Sequence, residues 1–308
     1  MHLPVLAVEA IAALAIKPGG RYLDGTLGMG GHTGLILEKS DPDGMVIGLD
    51  QDAESLELAR SRLARYEQRI HLRAEHFSRM GRVLDELGIT ELDGILLDLG
   101  MSSWQLEHSG RGFTFRLDQP LDMRMDPRGS KTAADLVNVL SEAELVELLT
   151  KYGEVTGAKR LAKAIIKARS GGAIERSAQM ADIVARAMPG YYRAKKIHPA
   201  TQVFQALRIA VNDELGAIST AIPVALERLR SGGRLAVISF HSLEDRIVKR
   251  AFRSLAHPCV CPPRMPECGC GRKAQVNLVF NRAIKPGPEE ITANPRSRSA
   301  RLRAVEKL

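Results

Sequence analysis

The sequence predicts a doubly wound α/β fold, in which a mostly parallel sheet carries helices on both faces, interrupted by an all-helical insert. Two observations predict the sheet. Short apolar segments alternate with helical patterns over residues 21–100, and a glycine-rich loop joins the first strand of that series to its first helix. A third observation predicts the insert, because helical periodicity replaces the alternation from about residue 105 to 230. A chain of 308 residues has room for both parts.

Four strands open the sheet, and each is a short apolar run bounded by polar residues or glycine. They are predicted at 21–24, 45–49, 70–73 and 94–100, the last including its exit. One helix is predicted at 4–14, before the first strand. Between the strands, helices are predicted from the glycine loop to about residue 39, at 53–66 and at 79–87. A fifth strand is predicted at 235–238. Two later candidates, 276–280 and 301–305, would form an antiparallel edge.

The predicted insert comprises residues 106–205, so that residues 1–105 and 206–308 form one discontinuous domain. Its helices include one announced by the capping box Ser141-x-x-Glu144 and a basic one over 157–168. A further helix of the insert is predicted at 177–188. The next, at 198–215 with Pro199 in its first turn, crosses the end of the insert, and one at 216–230 follows it. We interpret the insert as an RNA-recognition domain on the charge argument that follows.

Charge is distributed unevenly along the chain, whose net charge is +8. Residues 1–100 carry 10 basic and 16 acidic side chains, whereas residues 157–197 carry 10 basic and 2 acidic ones. A separate basic segment favours a polyanionic partner such as nucleic acid, although a solvated basic helix face is the alternative. The side chains expected to hold phosphates are Lys159, Arg160, Lys163, Lys167, Lys195 and Lys196.

The N-terminus, Met1-His2-Leu3-Pro4, lacks the basic region and apolar stretch of a secretory signal, and no apolar run reaches membrane-spanning length. We therefore expect a cytoplasmic protein with no membrane partner.

All four cysteines lie within twelve residues, in a C-x-C-x6-C-x-C pattern formed by Cys259, Cys261, Cys268 and Cys270. In a cytosolic chain such clustering favours a metal site over a disulfide framework. The spacing is not the usual C-x2-C pair, which weakens the case for zinc. Reducible thiols on a loop are the alternative, and the sequence assigns no metal here.

The glycine-rich loop indicates the ligand. Five of the twelve residues from Leu23 to Gly34 are glycine, and a strand, such a loop and a helix bring backbone N–H groups close to a nucleotide-like ligand. A dinucleotide fingerprint requires G-x-G-x-x-G; Gly28 and Gly30 fit it, but Thr33 occupies the third glycine position. The loop instead approximates acid-x-Gly-x-Gly-x-Gly, beginning at Asp24, a form that goes with S-adenosylmethionine.

Three residues at the carboxyl ends of strands extend this site. Asp50 ends the second strand 20 residues after Gly30, where a carboxylate can accept hydrogen bonds from both ribose hydroxyls, although a helix cap is the alternative. Phe77 follows the third strand, where it could line an adenine pocket or pack in the core. Asp98 ends the fourth strand at the edge where open α/β sheets bind ligands.

Six sequence blocks, spread from about His2 to Arg303, together resemble one family. They are Asp24-Gly25-Thr26-x-Gly28-x-Gly30-Gly31-His32, Asp98-Leu99-Gly100-x-Ser102-Ser103-x-Gln105-Leu106, Pro120-Leu121-Asp122-Met123-Arg124-Met125-Asp126, His198-Pro199-Ala200-Thr201, Ser239-Phe240-His241-Ser242-Leu243-Glu244-Asp245-Arg246 and Asn294-Pro295-Arg296-x-Arg298-Ser299. The family that they resemble is RsmH (MraW). Trp104 departs from its pattern, which usually has proline there; this tryptophan could stack on a base or pack against the insert.

The resemblance implies a Rossmann-like class I methyltransferase sheet with an inserted helical domain, and S-adenosyl-L-methionine as cofactor. It implies methylation of the exocyclic N4 of a cytidine in small-subunit (16S) ribosomal RNA, with ribosomal RNA or the small subunit as partner. Residue by residue, it places cofactor contacts at Gly30, Gly31, His32, Asp50, Phe77, Asp98 and Gln105.

Asp98 is the first candidate for the catalytic residue, because N4 is a poor nucleophile that needs a hydrogen-bond acceptor as attack proceeds. Asp122, Asp126 and His241 are secondary candidates. For Asp122 and Asp126 the favoured alternative is pairing with Arg124 and Arg128. For His241 a structural role is as good an interpretation as a functional one.

Two other functions remain open from the sequence. A non-catalytic RNA-binding factor in ribosome assembly would bind RNA without affinity for the cofactor. A nicotinamide-dependent oxidoreductase would use the same type of sheet, but Thr33 at the third glycine position argues against it.

Overall fold

The computed structural model describes residues 4–188, 198–262 and 269–308. The chain divides into two compact units. One comprises Met1–Gly100 and Leu215–Leu308, and the other comprises Met101–Glu214.

The first unit is built on one seven-stranded sheet, whose order is β3-β2-β1-β4-β5-β7-β6. Strands β1 to β5 are mutually parallel, whereas β7 is antiparallel to both β5 and β6. The predicted doubly wound sheet with an antiparallel edge is therefore confirmed. The strands span Arg21–Asp24 (β1), Met45–Leu49 (β2), Ile70–Arg73 (β3), Leu92–Asp98 (β4), Leu229–Ser239 (β5), Val276–Leu278 (β6) and Arg301–Lys307 (β7).

Both faces of this sheet are buried, which explains why its strands are continuous apolar runs. Successive residues of β4 point into different cores: Ile95 and Leu97 belong to one cluster and Leu96 to the other. Helices cover the two faces. They span Ala7–Leu14, Gly31–Lys39, Ala53–Arg62, Met80–Glu86, Glu214–Arg228, Ser242–Ala256 and Pro288–Ala293.

Two predicted elements differ from the observed ones by more than three residues at one end. The helix predicted over 53–66 ends at Arg62 and continues as a 3-10 turn over Ala64–Arg69. Strand β5 begins at Leu229 instead of 235, because residues 229–234 form an irregular extension beside β4. In this extension Leu92 pairs with Leu229 and Gly94 with Arg234, so that the longer segment bulges.

The strand order places the ligand crevice. The chain moves from β1 outward through β2 to β3, and then returns to the other side of β1 with β4 and β5. Ligands bind beyond the carboxyl ends of the strands at such a switch point. Asp24 and Asp98 are the last residues of the two strands that flank it.

The second unit is helical in its described part, with a single core cluster of its own. The block 120–126 belongs to this core. Its odd-numbered side chains Leu121, Met123 and Met125 are buried, and Asn212 holds the loop by donating to the Met123 carbonyl at 2.9 Å. The helices span Ser103–Glu107, Ala133–Val139, Glu142–Gly153, Ala158–Arg169, Ser177–Ala187 and Ala200–Asn212.

The breaks between the units follow Gly100 and Glu214, whereas the sequence predicted boundaries at 105/106 and 205/206. A boundary at 205/206 would cut the helix Ala200–Asn212, whose backbone leaves the helical region only at Asp213 (φ 47°). Among the described residues no single helix has the length and apolarity to cross a membrane. The consecutive helices Ala200–Asn212 and Glu214–Arg228 meet that criterion only when taken together.

Candidate active site

The loop after β1 needs glycine at two positions. Gly28 and Gly30 have φ values of 50° and 74°, in the left-handed region that side chains with a Cβ rarely adopt. A Cβ at Gly30 would also lie 2.8 Å from Cδ1 of Leu63. The helix Gly31–Lys39 begins directly after it, so the loop presents the N-terminal end of that helix at the crevice.

Asp50 ties this loop to the end of β2. Its Oδ2 accepts the Gly28 N–H at 2.8 Å, and its Oδ1 accepts the Asp52 N–H at 2.9 Å. Each oxygen keeps a lone pair for a further donor. Burial raises the pKa of Asp50 to about 6, although the two N–H donors oppose the shift. A ligand that donates hydroxyl protons to Asp50 would favour its ionised form.

Asp24 holds the beginning of the loop from inside the protein. It is 1% exposed, and it accepts hydrogen bonds from Oγ1 of Thr33 at 2.8 Å and from the Thr26 N–H at 3.2 Å. Burial raises the pKa of this carboxyl to about 6. Thr33, which departs from the dinucleotide fingerprint, thus stabilises the loop through its hydroxyl.

Asp98 faces the same crevice from the end of β4. Its backbone N–H donates to Oγ1 of Thr26 at 2.6 Å, which joins β4 to the glycine loop. Its side-chain Oδ1 is buried and has no hydrogen-bond partner among the described residues. Burial raises the pKa of Asp98 well above its ordinary value, and the charges of Asp24 and Glu244 add to the shift. A buried acceptor without a donor is costly unless a ligand supplies one.

His32 lies beside Asp98, and its ring is fixed in one tautomer. Nε2 is 3.0 Å from the Val5 carbonyl oxygen, which can only accept, so Nε2 carries the proton. Nδ1 is therefore an acceptor, and it lies 3.6 Å from Oδ2 of Asp98. Burial lowers the pKa of His32 to about 4, so the ring is neutral at pH 7.

A further acid comes from the segment after β5. Glu244 is 1% exposed and accepts the N–H groups of Phe240 and His241, at 2.8 and 3.2 Å. Its Oε1 lies 3.2 Å from Nε2 of His241, which caps the helix Ser242–Ala256. His241 caps this helix, which is a structural role of the kind that the sequence left open beside a catalytic one.

Four acids thus gather at the carboxyl edge of this sheet: Asp24, Asp50, Asp98 and Glu244. Burial raises the pKa of three of them, and the charges of neighbouring acids add to the shift of Asp50 and Asp98. Titratable groups perturbed in this way cluster at functional sites. A ligand with positive charge and hydroxyl or amine donors would relieve both their repulsion and their missing hydrogen bonds.

The remaining predicted cofactor contacts have local structural roles. Gly31 is the first residue of its helix, and a Cβ there would lie 3.3 Å from Cβ of Pro4. Phe77 is 9% exposed, belongs to a core cluster and lies against the ring of His76. Gln105 lies in the second unit, where its Oε1 accepts the Ser102 N–H at 3.0 Å in a capping box.

The secondary catalytic candidates in the second unit form the ion pairs that the sequence favoured. Asp122 pairs with Arg124 at 2.6 Å and Asp126 with Arg128 at 2.9 Å. Trp104 stacks on His108 one helical turn later, with ring centroids 4.5 Å apart.

Sequence reasoning did not assign a site role to Thr26 or Glu244. Both lie in blocks that carried the family resemblance, and Glu244 has the sequence signal of a cap, since it lies three residues after the cap residue His241. What the sequence could not indicate is that this capping carboxylate is close enough to Asp98 to raise its pKa.

Replacement of Asp24 by asparagine is expected to stabilise the fold at pH 8 by up to about 3 kcal/mol and to have little effect at pH 4. The folded-state pKa of Asp24 is about 6 against an ordinary 3.8, so the folded protein binds more protons between these values. The stability that this group contributes is thus present below pH 4 and lost as the pH rises through 6. Urea titrations at both pH values measure it. An Asp24→Asn protein less stable than the wild type at pH 8 would contradict the assignment.

Together, a sheet of order 3-2-1-4-5-7-6 with an antiparallel seventh strand, a glycine loop after β1 and an acid at the end of β2 define a Rossmann-like class I methyltransferase, whose cofactor is S-adenosylmethionine. A family model described as the MraW methylase family matches residues 1–308. The chain belongs to this family. Membership confirms the enzyme class and the cofactor predicted from the sequence, and it excludes the nicotinamide-dependent oxidoreductase.

The chain is also similar to curated proteins over its whole length. It is 52% identical to a Geobacter sulfurreducens protein named ribosomal RNA small subunit methyltransferase H, covering 100% of this chain and 99% of that protein. It is 50% identical to the protein of the same name from Heliobacterium modesticaldum, covering 100% of this chain and 98% of the relative.

Proposed function

We propose that this protein transfers a methyl group from S-adenosylmethionine to the exocyclic N4 of a cytidine in small-subunit ribosomal RNA. The observation that carries the proposal is Asp98, a carboxylate at the switch point whose buried Oδ1 has no donor among the described residues. An exocyclic amine is a donor that fits such an acceptor. The full-length similarity to proteins named small-subunit ribosomal RNA methyltransferases supports RNA as its source.

The residues of the first unit fit the cofactor. The spare lone pairs of Asp50 suit the two ribose hydroxyls, and the left-handed backbone at Gly28 and Gly30 leaves room for close approach. The group of buried acids suits a ligand that carries both a sulfonium and an ammonium charge. We propose that Gly30, Gly31, His32, Asp50, Phe77 and Asp98 contribute the contacts to it, whereas Gln105, predicted with them from the sequence, lies in the second unit.

The chemistry assigned to the protein is orientation of the amine and removal of a proton. S-adenosylmethionine, when bound, supplies the electrophilic methyl group. Asp98 accepts a hydrogen bond from N4–H, which localises the nitrogen lone pair, and then accepts the proton that leaves as the N–C bond forms. Because its pKa is raised by burial and by the neighbouring acids, Asp98 is a stronger base than an ordinary carboxylate, which suits this task. Nδ1 of the neutral His32 is an acceptor that faces Oδ2 of Asp98 at 3.6 Å, so it favours the protonated carboxyl that forms when Asp98 takes up this proton.

The target base must leave its stack to reach a crevice at the sheet edge, and single-stranded or looped RNA makes this step least costly. We propose that the second unit holds the surrounding RNA. Its helix Ala158–Arg169 buries Leu161 and Ile165, while Lys159, Arg160, Lys163 and Lys167 are exposed. Arg169 differs, because it donates to the carbonyls of Val137 and Leu140 at 2.8 Å. Lys195 and Lys196 lie outside the described residues.

Replacement of Lys159, Lys163 and Lys167 by glutamine is expected to weaken RNA binding about tenfold at low salt. We also expect the slope of log K against log salt to fall by about 2, because each phosphate contact contributes about 0.7. Cofactor affinity should not change. Filter binding across a salt series measures the effect, with Lys17, Lys39 and Lys285 replaced by glutamine as the matched control. Equal slopes in the two triple variants would contradict an RNA surface on this helix.

The proposed reaction is tested with labelled S-adenosylmethionine and two substrates, free small-subunit ribosomal RNA and assembled subunits, both from a strain that lacks the gene. We expect transfer to at least one of them, and mass spectrometry of the nucleosides should identify N4-methylcytidine. Methylation at another atom would overturn the assignment of N4. RNA binding without affinity for S-adenosylhomocysteine would favour the non-catalytic assembly factor. We place the reaction in the cytoplasm, where ribosomal subunits form in bacteria.

A further inference from the structure

The cysteines come together on a connection that the methyl transfer does not use. The sulfurs of Cys259, Cys261 and Cys270 lie within 4.8 Å of one another. They come from the two ends of the segment that joins the helix Ser242–Ala256 to β6. The fourth cysteine, Cys268, lies outside the described residues, and the inference rests on the other three.

We propose that these three cysteines bind a structural Zn²⁺ ion. Zinc binds thiolates at about 2.3 Å in tetrahedral geometry, which requires sulfurs about 3.8 Å apart. The observed cluster meets this requirement with movements of about 1 Å or less. Binding replaces the three thiol protons by the metal, since the thiolate is the ligand. Thiolates are soft donors, so the cluster selects zinc over Mg²⁺ or Ca²⁺.

The connection needs such a crosslink because it has almost no apolar core. Its two ends are joined by the backbone, where the Gln275 N–H donates to the Leu255 carbonyl at 3.0 Å. Between these ends, nearly all described residues are exposed, including Val260 at 64%. Pro258, Cys261 and Cys270 are the described residues of 257–275 that are partly buried. Two of the three proposed ligands, Cys261 and Cys270, are therefore among the least exposed described residues of the segment, whereas Cys259 is exposed.

The electrostatics of the segment suit a metal thiolate. Three thiolates and one Zn²⁺ carry a net charge of −1, and the exposed Arg272 and Lys273 lie two and three residues after Cys270. Gly271, which lies between Cys270 and Arg272, has a φ of 63°, so the chain turns directly after Cys270.

The register of the sheet separates this site from the catalytic edge. Val276 at the start of β6 pairs with Lys307, and the adjacent Glu306 pairs with Arg234, where the regular part of β5 begins after its bulge. Arg301, at the opposite end of β7, pairs with Ser239 at the carboxyl end of β5. The cysteine segment therefore adjoins the edge opposite Asp98, which indicates a structural ion and not a catalytic one.

The test measures the metal itself. The full chain, purified under a phosphine reductant from cells grown with zinc, should contain about one zinc per molecule by elemental mass spectrometry. The Val260→Ser variant, which changes the same loop but keeps every thiol, should contain as much. Single Cys→Ser changes at positions 259, 261 and 270 should weaken zinc binding at least tenfold against a chelator, and the triple variant should contain none.

A cobalt titration of the zinc-depleted wild type keeps the inference testable if the triple variant does not fold. Co²⁺ should produce the thiolate charge-transfer absorption and the strong visible bands of a tetrahedral site, and Zn²⁺ should abolish them. Amide exchange in the described part of 257–275 should be faster in the zinc-depleted protein. Two results would overturn the inference. One is a wild-type protein that contains no zinc or that gives no tetrahedral cobalt spectrum, and the other is a triple variant whose zinc content is undiminished.

Discussion

Replacement of Asp98 by asparagine is expected to lower kcat for methyl transfer by about 1,000-fold or more while leaving a folded protein. Asparagine keeps the size of the side chain and the backbone N–H that donates to Oγ1 of Thr26. It removes the basic oxygen that is assigned to orient N4 and to accept its proton. The loss should therefore fall on kcat more than on KM for RNA.

The same variant should not be less stable than the wild type at neutral pH. Asp98 shares its surroundings with Asp24 and Glu244, whose charges raise its pKa, so removal of one charge relieves repulsion. The midpoint of thermal unfolding should therefore stay equal or rise. This result would distinguish a chemical loss from a folding defect, which would lower activity and stability together.

The pH dependence of kcat/KM provides a second measure. Because the pKa of Asp98 is raised, the wild-type rate should increase with pH through a range above that of an ordinary carboxyl, and Asp98→Asn should lose this limb. Single-turnover assays with labelled cofactor measure both proteins, with Asp43→Asn in an exposed turn as the control. Retention of half the wild-type rate by Asp98→Asn would remove this residue from the mechanism.

The sequence was sufficient where local pattern and strand topology agree. Asp24, Asp50 and Asp98 each end or follow an apolar run, and parallel strands bring their carboxyl ends to one edge. Their common placement could therefore be predicted without contacts. The missing third glycine at Thr33 was also visible and argued against a dinucleotide, but the hydrogen bond from its hydroxyl to Asp24 was not.

The sequence was insufficient where function depends on which atoms are already used. Gln105 could be a ligand contact by position, yet its Oε1 serves the backbone of Ser102. The tautomer of His32 depends on the Val5 carbonyl, 27 residues before it in the chain. The proximity of Glu244 to Asp98 spans almost half the chain, and no periodicity encodes a carboxylate pair of that kind.

Replacement of Asp50 by alanine is expected to weaken the binding of S-adenosylhomocysteine about 100-fold. Two hydrogen bonds from ribose hydroxyls to a carboxylate contribute about 1.5 kcal/mol each, and a loss of about 3 kcal/mol corresponds to that factor. The change also releases the Gly28 N–H from Oδ2, so the loop loses its tie to β2. Isothermal titration calorimetry measures the affinity.

The comparison of Asp50→Ala with Asp50→Asn separates the two causes. Asparagine offers one amide oxygen, which can keep a single N–H bond of the loop, but it carries no charge for the ribose. In the wild type, affinity should fall about tenfold between pH 7 and pH 5, because Asp50, with a pKa of about 6, must lose its proton to accept both hydroxyls. Asp24 titrates in the same range in all three proteins, so its contribution cancels in the comparison. Only the titration of Asp50 is absent from Asp50→Asn. If the affinity of this variant for S-adenosylhomocysteine still falls about tenfold between pH 7 and pH 5, the ribose contact must be assigned to another residue.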